Sequence, residues 1–320
     1  VIIILTSLIS IFLAMNMGAS GFSISFTPSY GCCIITKRKA IFLYTLFVFL
    51  GAILIGPRVV ETLTIKLVKG FNSQLSGILI LTSASITMFL ANMLKIPQST
   101  SFVTVGAFIG AGLFFGNANY FKLAEIFVVA VIFSLLAFVV TYLVMKNFYP
   151  PKEKNFRIYE KFVANNKLVK NFILWTDCYS AFAVGTNNVA NVVAPVIIAG
   201  ASLSSLWLFL LFAPFFGVGA LLFGKGLINT VSKEIIPLGE ISAMVISIVT
   251  SSFVIVASIL GLPTPYVQFS TFAVLGVSAI KDGIGHTTKK GVVKKILFVW
   301  LIVPVVTIAL SYMLHKIFIK

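Results

Sequence analysis

The chain has 320 residues, of which 59% are hydrophobic and 10% charged, with a mean hydropathy of +1.09 and a formal net charge of +16. Such apolarity excludes a water-soluble globular domain, because most of the surface must face lipid. The charge does not mark a nucleic-acid binder, since the 24 Lys and Arg residues lie between apolar runs and form no aromatic-interleaved basic face.

Helices of about 20 apolar residues cross a bilayer. In chain order, apolar runs occupy residues 1–15, 40–57, 73–93, 99–116, 123–145, 169–184, 204–222, 238–260, 264–280 and 292–315, some of them short. The fold class predicted is all-α: a polytopic membrane protein of about ten segments. The first run reads as a span and not as a cleavable leader, for it has no charged start and continues into a Gly/Ser segment with a counterpart later in the chain. With the N-terminus outside, ten crossings put 18 of the 24 basic residues on the cytoplasmic side and six (Arg58, Lys66, Lys69, Lys122, Lys316 and Lys320) on the other, as the positive-inside rule expects. Both termini are therefore predicted to be extracytoplasmic, in a multi-pass protein of the cell membrane. The polar stretch 146–170 divides the runs five and five. It is predicted to be a cytoplasmic basic loop against anionic headgroups, between a first repeat at 1–145 and a second at 171–320.

The two halves resemble each other. Residues 12–28, FLAMNMGASGFSISFTP, align with 179–195, YSAFAVGTNNVANVVAP, at an offset of 167, bringing Ala14 onto Ala181, Gly18 onto Gly185 and Pro28 onto Pro195. Residues 94–112, LKIPQSTSFVTVGAFIGAG, align with 260–278, LGLPTPYVQFSTFAVLGVS, at an offset of 166, with Pro97 on Pro263 and Gly110 on Gly276. An odd number of crossings per half makes the copies inverted. Inverted repeats are a construction of secondary transporters, in which two related halves expose one central site alternately to each side.

Each of the four segments interrupts an apolar run with polar residues, which is costly in lipid unless the backbone there lines a cavity or is buried in protein. Gly18, Gly21 and Gly185 beside them would allow unwound backbone. A helix resuming after a break offers its positive end to an anion. The substrate-binding candidates are Ser20, Ser23, Ser99, Thr100, Ser101, Asn187, Asn188, Asn191, Gln268 and Ser270, all neutral hydroxyls or amides. Gly106 and Gly110, in a small-xxx-small pattern, are read instead as helix packing.

These residues carry a family resemblance. MNMGASG in the first half, GTNNVAN in the second and IPQSTSFVTVGAFIG between them resemble the duplicated signature of the inorganic phosphate transporter (PiT) family, over nearly the whole chain. The resemblance implies a permease, not an enzyme, that moves a tetrahedral oxyanion with a coupling proton or sodium ion, needs no cofactor or resident metal, and leaves a homodimer open. In members with the usual motif, close to GANDVAN, the Asp and Asn help hold coupling ion and substrate. The corresponding positions here are Ser20, Gly21 and Ile24, then Asn187, Asn188 and Asn191. Both acids are thus replaced, by Gly21 and Asn188, and the wording is more similar to the family's bacterial sulfate permease branch. Sulfate is a dianion near neutral pH, which carboxylates in the pocket would repel, so the balance favours sulfate over phosphate.

Few titratable groups remain. Asn16, Asp177 and Glu240 are the coupling-ion candidates, with Asp177, Glu240 and Glu125 all placed near ends of runs, where solvation is cheap. His286 and His315 lie in or beside Lys-rich ends and are expected at the surface. Cys32, Cys33 and Cys178 have no metal-ligand spacing and read as small apolar filler. The stretch GALLFGKG at 219–226 falls short of a phosphate-binding loop, because Gly226 stands where Ser or Thr is needed.

Overall fold

The computed structural model describes residues 2–26, 28–29, 34–71, 73–94, 98–148, 160, 166–233, 239–289 and 291–319; Thr27, Cys32, Cys33, Pro97 and most of 146–170 lie outside these. The first half contains α1 (Ile2–Ser25), α2 (Lys37–Leu54), the short α3 (Gly56–Glu61) with a π-helical turn at Thr62–Lys66, α4 (Leu75–Met93), α5 (Thr100–Phe115) and α6 (Tyr120–Phe148). The second contains α7 (Asn166–Ile198), α8 (Ser205–Lys233), α9 (Glu240–Ile259), α10 (Tyr266–Asp282), the short α11 (Ile284–Lys289) and α12 (Gly291–Phe318). Among the described residues the protein is helical apart from turns and one isolated bridge, Val68 to Ala118.

Each apolar run falls on or overlaps a helix. Seven helices are long and apolar enough to span a bilayer, or eight when α2 and the 56–66 segment, bent by 59°, count as one broken span. The remaining runs are the shorter α5 and α10, each of which starts inside the bundle after an interruption. Helix α5 is capped by Ser99, whose Oγ accepts the Phe102 N–H at 3.2 Å, and it ends at Gly116 with φ +70°, a left-handed stop that glycine adopts without strain. Helix α10 follows Pro263, Thr264 and Pro265, a sequence that cannot continue α9.

Helix α7 is the axis of the bundle. Of its spanning window 83% is buried, against 22% for α6 and 17% for α12, which face lipid. Helix contacts recur when the halves are exchanged: α1 packs on α8 and α7 on α2; α6 packs on α10 and α12 on α5; α1 meets α4 as α7 meets α9.

Glycines set these approaches. The expected unwinding at Gly18, Gly21 and Gly185 does not occur, since α1 and α7 run unbroken through them. A Cβ on Gly18 would strike the backbone of Phe216, and one on Gly185 the backbone of Val48. In the same pattern Gly51 meets the backbone of Phe182, and Gly219 that of Met15. The absent side chains let whole helices touch, the usual role of small residues between membrane helices. Gly110 against Ile308, and Gly276 against Phe138 and Tyr142, do the same for the outer pairs. Helix α8 passes through 219–226, so that stretch forms no loop.

A methyl group at Gly185 has no space to enter. Gly185→Ala is expected to destabilise the protein by about 1–3 kcal/mol through overpacking, whereas Gly239→Ala, where nothing lies within 4 Å, should stay within about 0.5 kcal/mol. Thermal unfolding in detergent compares the two.

Candidate functional site

The second break of the first half meets the middle of α7. Thr100 Oγ1 donates to Asn188 Oδ1 at 3.1 Å, Ser101 Oγ donates to Asn187 Oδ1 at 2.7 Å, and Asn191 Nδ2 donates to Ser101 Oγ at 3.2 Å. From the opposite side the break of the second half closes on the same amide. Asn187 Nδ2 lies 3.1 Å from Ser258 Oγ, 3.2 Å from Leu262 O and 3.3 Å from Thr264 Oγ1, and the Thr264 N–H reaches Asn187 Oδ1 at 3.3 Å. Thr186 Oγ1 adds a bond of 3.1 Å to Ser258 Oγ. Ser99, Thr100, Ser101, Asn187, Asn188 and Asn191 are all buried. The cluster is electrically neutral, and the first turn of α5 directs its positive dipole end into it. Asn191 Oδ1 and Gln98 Oε1 are buried without a partner among the described residues.

Beside it, Gln98 and Ser99 face Gln268, Trp300, Val303 and Pro304 across a crevice of only about 10 Å³, at most the room for a single water. Of the sequence candidates, Ser99, Thr100, Ser101, Asn187, Asn188 and Asn191 are thus brought together, and Gln268 borders the crevice. Ser20 and Ser23 lie on α1, where Ser23 Oγ turns back to Ser20 O at 2.7 Å. Ser270 is half-buried one turn into α10 and makes no bond to the cluster.

The coupling candidates separate. Asn16 donates to Phe12 O at 2.9 Å and accepts from Asn92 Nδ2 at 3.2 Å, away from the cluster. Glu240 is exposed at the start of α9, and Glu125 pairs with Lys122 at 2.7 Å. Asp177 departs from its expected place near a solvated end. Helix α7 starts upstream of the apolar run, at Asn166, and Asp177 is fully buried. His315 is also a correction: it is buried, with Nδ1 2.7 Å from Ser311 O and its ring against Phe114 and Phe115, while His286 is exposed as expected. Cys178 is a buried free thiol. Ser258 was missed, because a lone serine at the end of an apolar helix carries no signal of its own.

Position 21, where the resemblance would place an acid, is packed shut in this chain. A Cβ on Gly21 would collide with the Tyr44 hydroxyl and approach Val184 to 2.9 Å, and Tyr44 Oη itself donates to Gly18 O at 3.0 Å. At the corresponding position in the second half, Asn188 accepts a neutral hydroxyl bond.

A bundle of apolar spans around a buried, uncharged polar cluster fed by two interrupted helices defines a multi-pass membrane transporter. The model of the phosphate transporter family matches residues 17–311. The sulfate permease CysP of Bacillus subtilis is 34% identical over 318 residues, covering 98% of this chain and 87% of that protein. A solved structure, that of a protein named the sodium-dependent phosphate transporter, shares the fold, with a TM-score of 0.83 over 99% of this chain and 98% of that one, at 21% identity. The chain belongs to the phosphate transporter family.

Asn187 bonds four residues at once, Ser101, Ser258, Leu262 and Thr264, so its loss leaves several buried groups unpaired. Asn187→Leu is expected to cost on the order of 1–3 kcal/mol per group left unsatisfied, and Ser270→Ala to remain near wild type. Unfolding midpoints of the two purified variants decide this.

Proposed function

We propose that the protein is a secondary carrier of a tetrahedral inorganic oxyanion, sulfate in preference to phosphate, driven by a coupled cation or proton. The observation that carries this reading is the buried cluster of Thr100, Ser101, Asn187, Asn188 and Asn191, which offers hydroxyl and amide donors and no carboxylate. A dianion without a proton is best received by neutral donors and a helix N-terminus, because buried acids would repel it. The name of the Bacillus relative, sulfate permease, supports the same choice. The names of the family and of the solved neighbour favour phosphate as the second reading.

The matched contacts of the two halves support inverted repeats at 1–145 and 171–320, and the uneven spread of Lys and Arg supports both termini outside. Helix breaks from both halves converge on one amide, so rocking one half against the other changes access to a single site. The crevice of about 10 Å³ between α5, α10 and α12 is too small for an oxyanion, and substrate entry requires these helices to part.

Proteoliposomes should take up labelled sulfate saturably and with counterflow, and unlabelled thiosulfate or molybdate should compete better than phosphate. Single-channel currents, or stronger competition by phosphate, would reject the reading. Thr100→Val removes a donor worth about 1.5–3 kcal/mol to a charged ligand and should lower apparent sulfate affinity by at least about tenfold. Asn188→Asp should suppress sulfate uptake as strongly by placing a negative charge in the cluster; sulfate uptake equal to wild type in both variants contradicts the site.

A further inference from the structure

We propose that Asp177 carries the coupling proton, and that a line of hydroxyls, Ser180, Ser251 and Tyr266, links it to the oxyanion cluster. The proposal rests on the carrier reading above and adds to it the place where the driving ion is held.

Asp177 lies on α7, ten residues before Asn187, or about 15 Å along a helix. It is fully buried. Its Oδ2 accepts the Ser29 backbone N–H at 2.9 Å, and its Oδ1 has no partner among the described residues. One neutral hydrogen bond does not replace the hydration of an ionised carboxylate. Charged groups described on the helices around α7 are engaged or directed elsewhere. Lys37 donates to Leu221 O, Arg58 donates to Ile259 O, and Lys66 pairs with Glu61. Arg38, Lys39 and Glu240 lie at helix starts toward solvent, as do Lys167 and Lys170 on α7 itself. The titratable neighbours within the field of Asp177 are Cys178 beside it and Tyr266 on α10, with Tyr44 of α2 beyond Tyr266. None is a cation. A proton is the counter-charge that such a site can take without further ligands.

One turn further along α7, on the same face, comes Ser180. Ser180 Oγ lies 3.0 Å from Ser251 Oγ on α9, and Ser251 Oγ lies 3.0 Å from Tyr266 Oη. Tyr266 opens α10 two residues after Thr264, which bonds Asn187. Each hydroxyl both donates and accepts, so rotation of the O–H groups can pass a proton between Ser180 and Tyr266, and the proposed path is completed when the Asp177 carboxyl turns its unpartnered Oδ1 toward Ser180. The position equivalent to Asp177 in the first half, at the offset of 167, is Ser10, whose hydroxyl bonds Thr6 O within its own helix. The acid thus has no counterpart at the matching position of the first half.

In the step proposed, a proton from the side where the oxyanion enters adds to Oδ1 of the carboxylate, giving a neutral acid. It leaves from the same oxygen on the other side. Only that O–H bond forms and breaks, and the oxyanion stays unprotonated throughout. Ser29 closes the first polar segment, so the charge on Asp177 also sets how firmly this segment is held to α7, because an N–H bonds a carboxylate more strongly than a neutral acid.

The test uses the full-length protein in proteoliposomes, with labelled sulfate and an imposed pH gradient, alongside counterflow at equal pH. Wild type should accumulate sulfate by about tenfold per pH unit for each coupled proton and lose accumulation with a protonophore. Asp177→Asn should abolish gradient-driven accumulation and keep counterflow, and Tyr266→Phe should slow accumulation severalfold with counterflow intact. Asp177→Glu should restore accumulation with a displaced pH profile, and it decides the matter if Asp177→Asn fails to reconstitute. Gradient-driven accumulation in Asp177→Asn equal to wild type overturns the proposal. So does an unshifted profile in Asp177→Glu, or loss of counterflow in both well-folded variants. Absence of counterflow in wild type would instead overturn the carrier reading itself.

Discussion

One side-chain amide joins the two helix interruptions of this protein. Asn187, in the middle of the most buried helix, accepts from Ser101 at the start of α5 and from the Thr264 N–H, and donates to Ser258, Leu262 O and Thr264 Oγ1 around the break before α10. Within a bilayer no water is at hand to satisfy broken backbone, so an interrupted helix is tolerated only where protein groups take over its bonds. Asn187 does this for the break before α10, and Asn188 and Asn191 bond the side chains of Thr100 and Ser101 at the other. Shared bonds of this kind are cooperative, and they tie the two interruptions to each other.

The frame around this cluster is nearly symmetric, yet its chemistry is not. Gly18 on Phe216 and Gly185 on Val48 are equivalent contacts, as are Gly51 on Phe182 and Gly219 on Met15. The polar residues on α7, however, correspond to Ser20, Gly21 and Ile24 on α1, and there the Tyr44 hydroxyl occupies the space beside Gly21. Close packing fixes the path of the backbone in both halves, because a glycine facing another helix's backbone admits no replacement. Side chains that do not set that path are free to diverge, and donors have gathered on one helix.

The sequence made the helices legible because lipid imposes long uninterrupted apolar runs, and it made Thr100, Ser101 and Asn187 to Asn191 legible because adjacent polar residues cannot all serve one packing seam. Gly18 and Gly185 misled. A glycine beside polar residues reads equally as a hinge or as a point of contact, and only the partner helix decides. Ser180, Ser251 and Ser258 were invisible for the converse reason: each is a lone small residue in an apolar helix, and its meaning lies in a hydroxyl from another segment. His315 was misplaced by treating the edge of an apolar run as a solvated helix end, whereas its ring packs on Phe114 and Phe115. Asp177 lies midway along its run and is buried because the segment that follows α1, with the Ser29 N–H, closes over it.

That depth bears on how a dianion and its driving ion can share one protein. A carboxylate among the oxyanion donors would stabilise a cation and repel the substrate, and the two effects have the same origin in Coulomb's law. Phosphate near neutral pH carries a titratable proton of its own and can accommodate an acidic neighbour, whereas sulfate cannot. With Gly21 and Asn188 in place of acids, the proposed sulfate site is free of this conflict, and the coupling charge of the proposed carrier is left to be held elsewhere. Asp177 is on the same helix as Asn187, far enough along to weaken its repulsion of an anion bound as proposed, with the bonded hydroxyls of Ser180, Ser251 and Tyr266 lying between it and the cluster. A helix that carries both groups makes their energies interdependent without requiring them to touch.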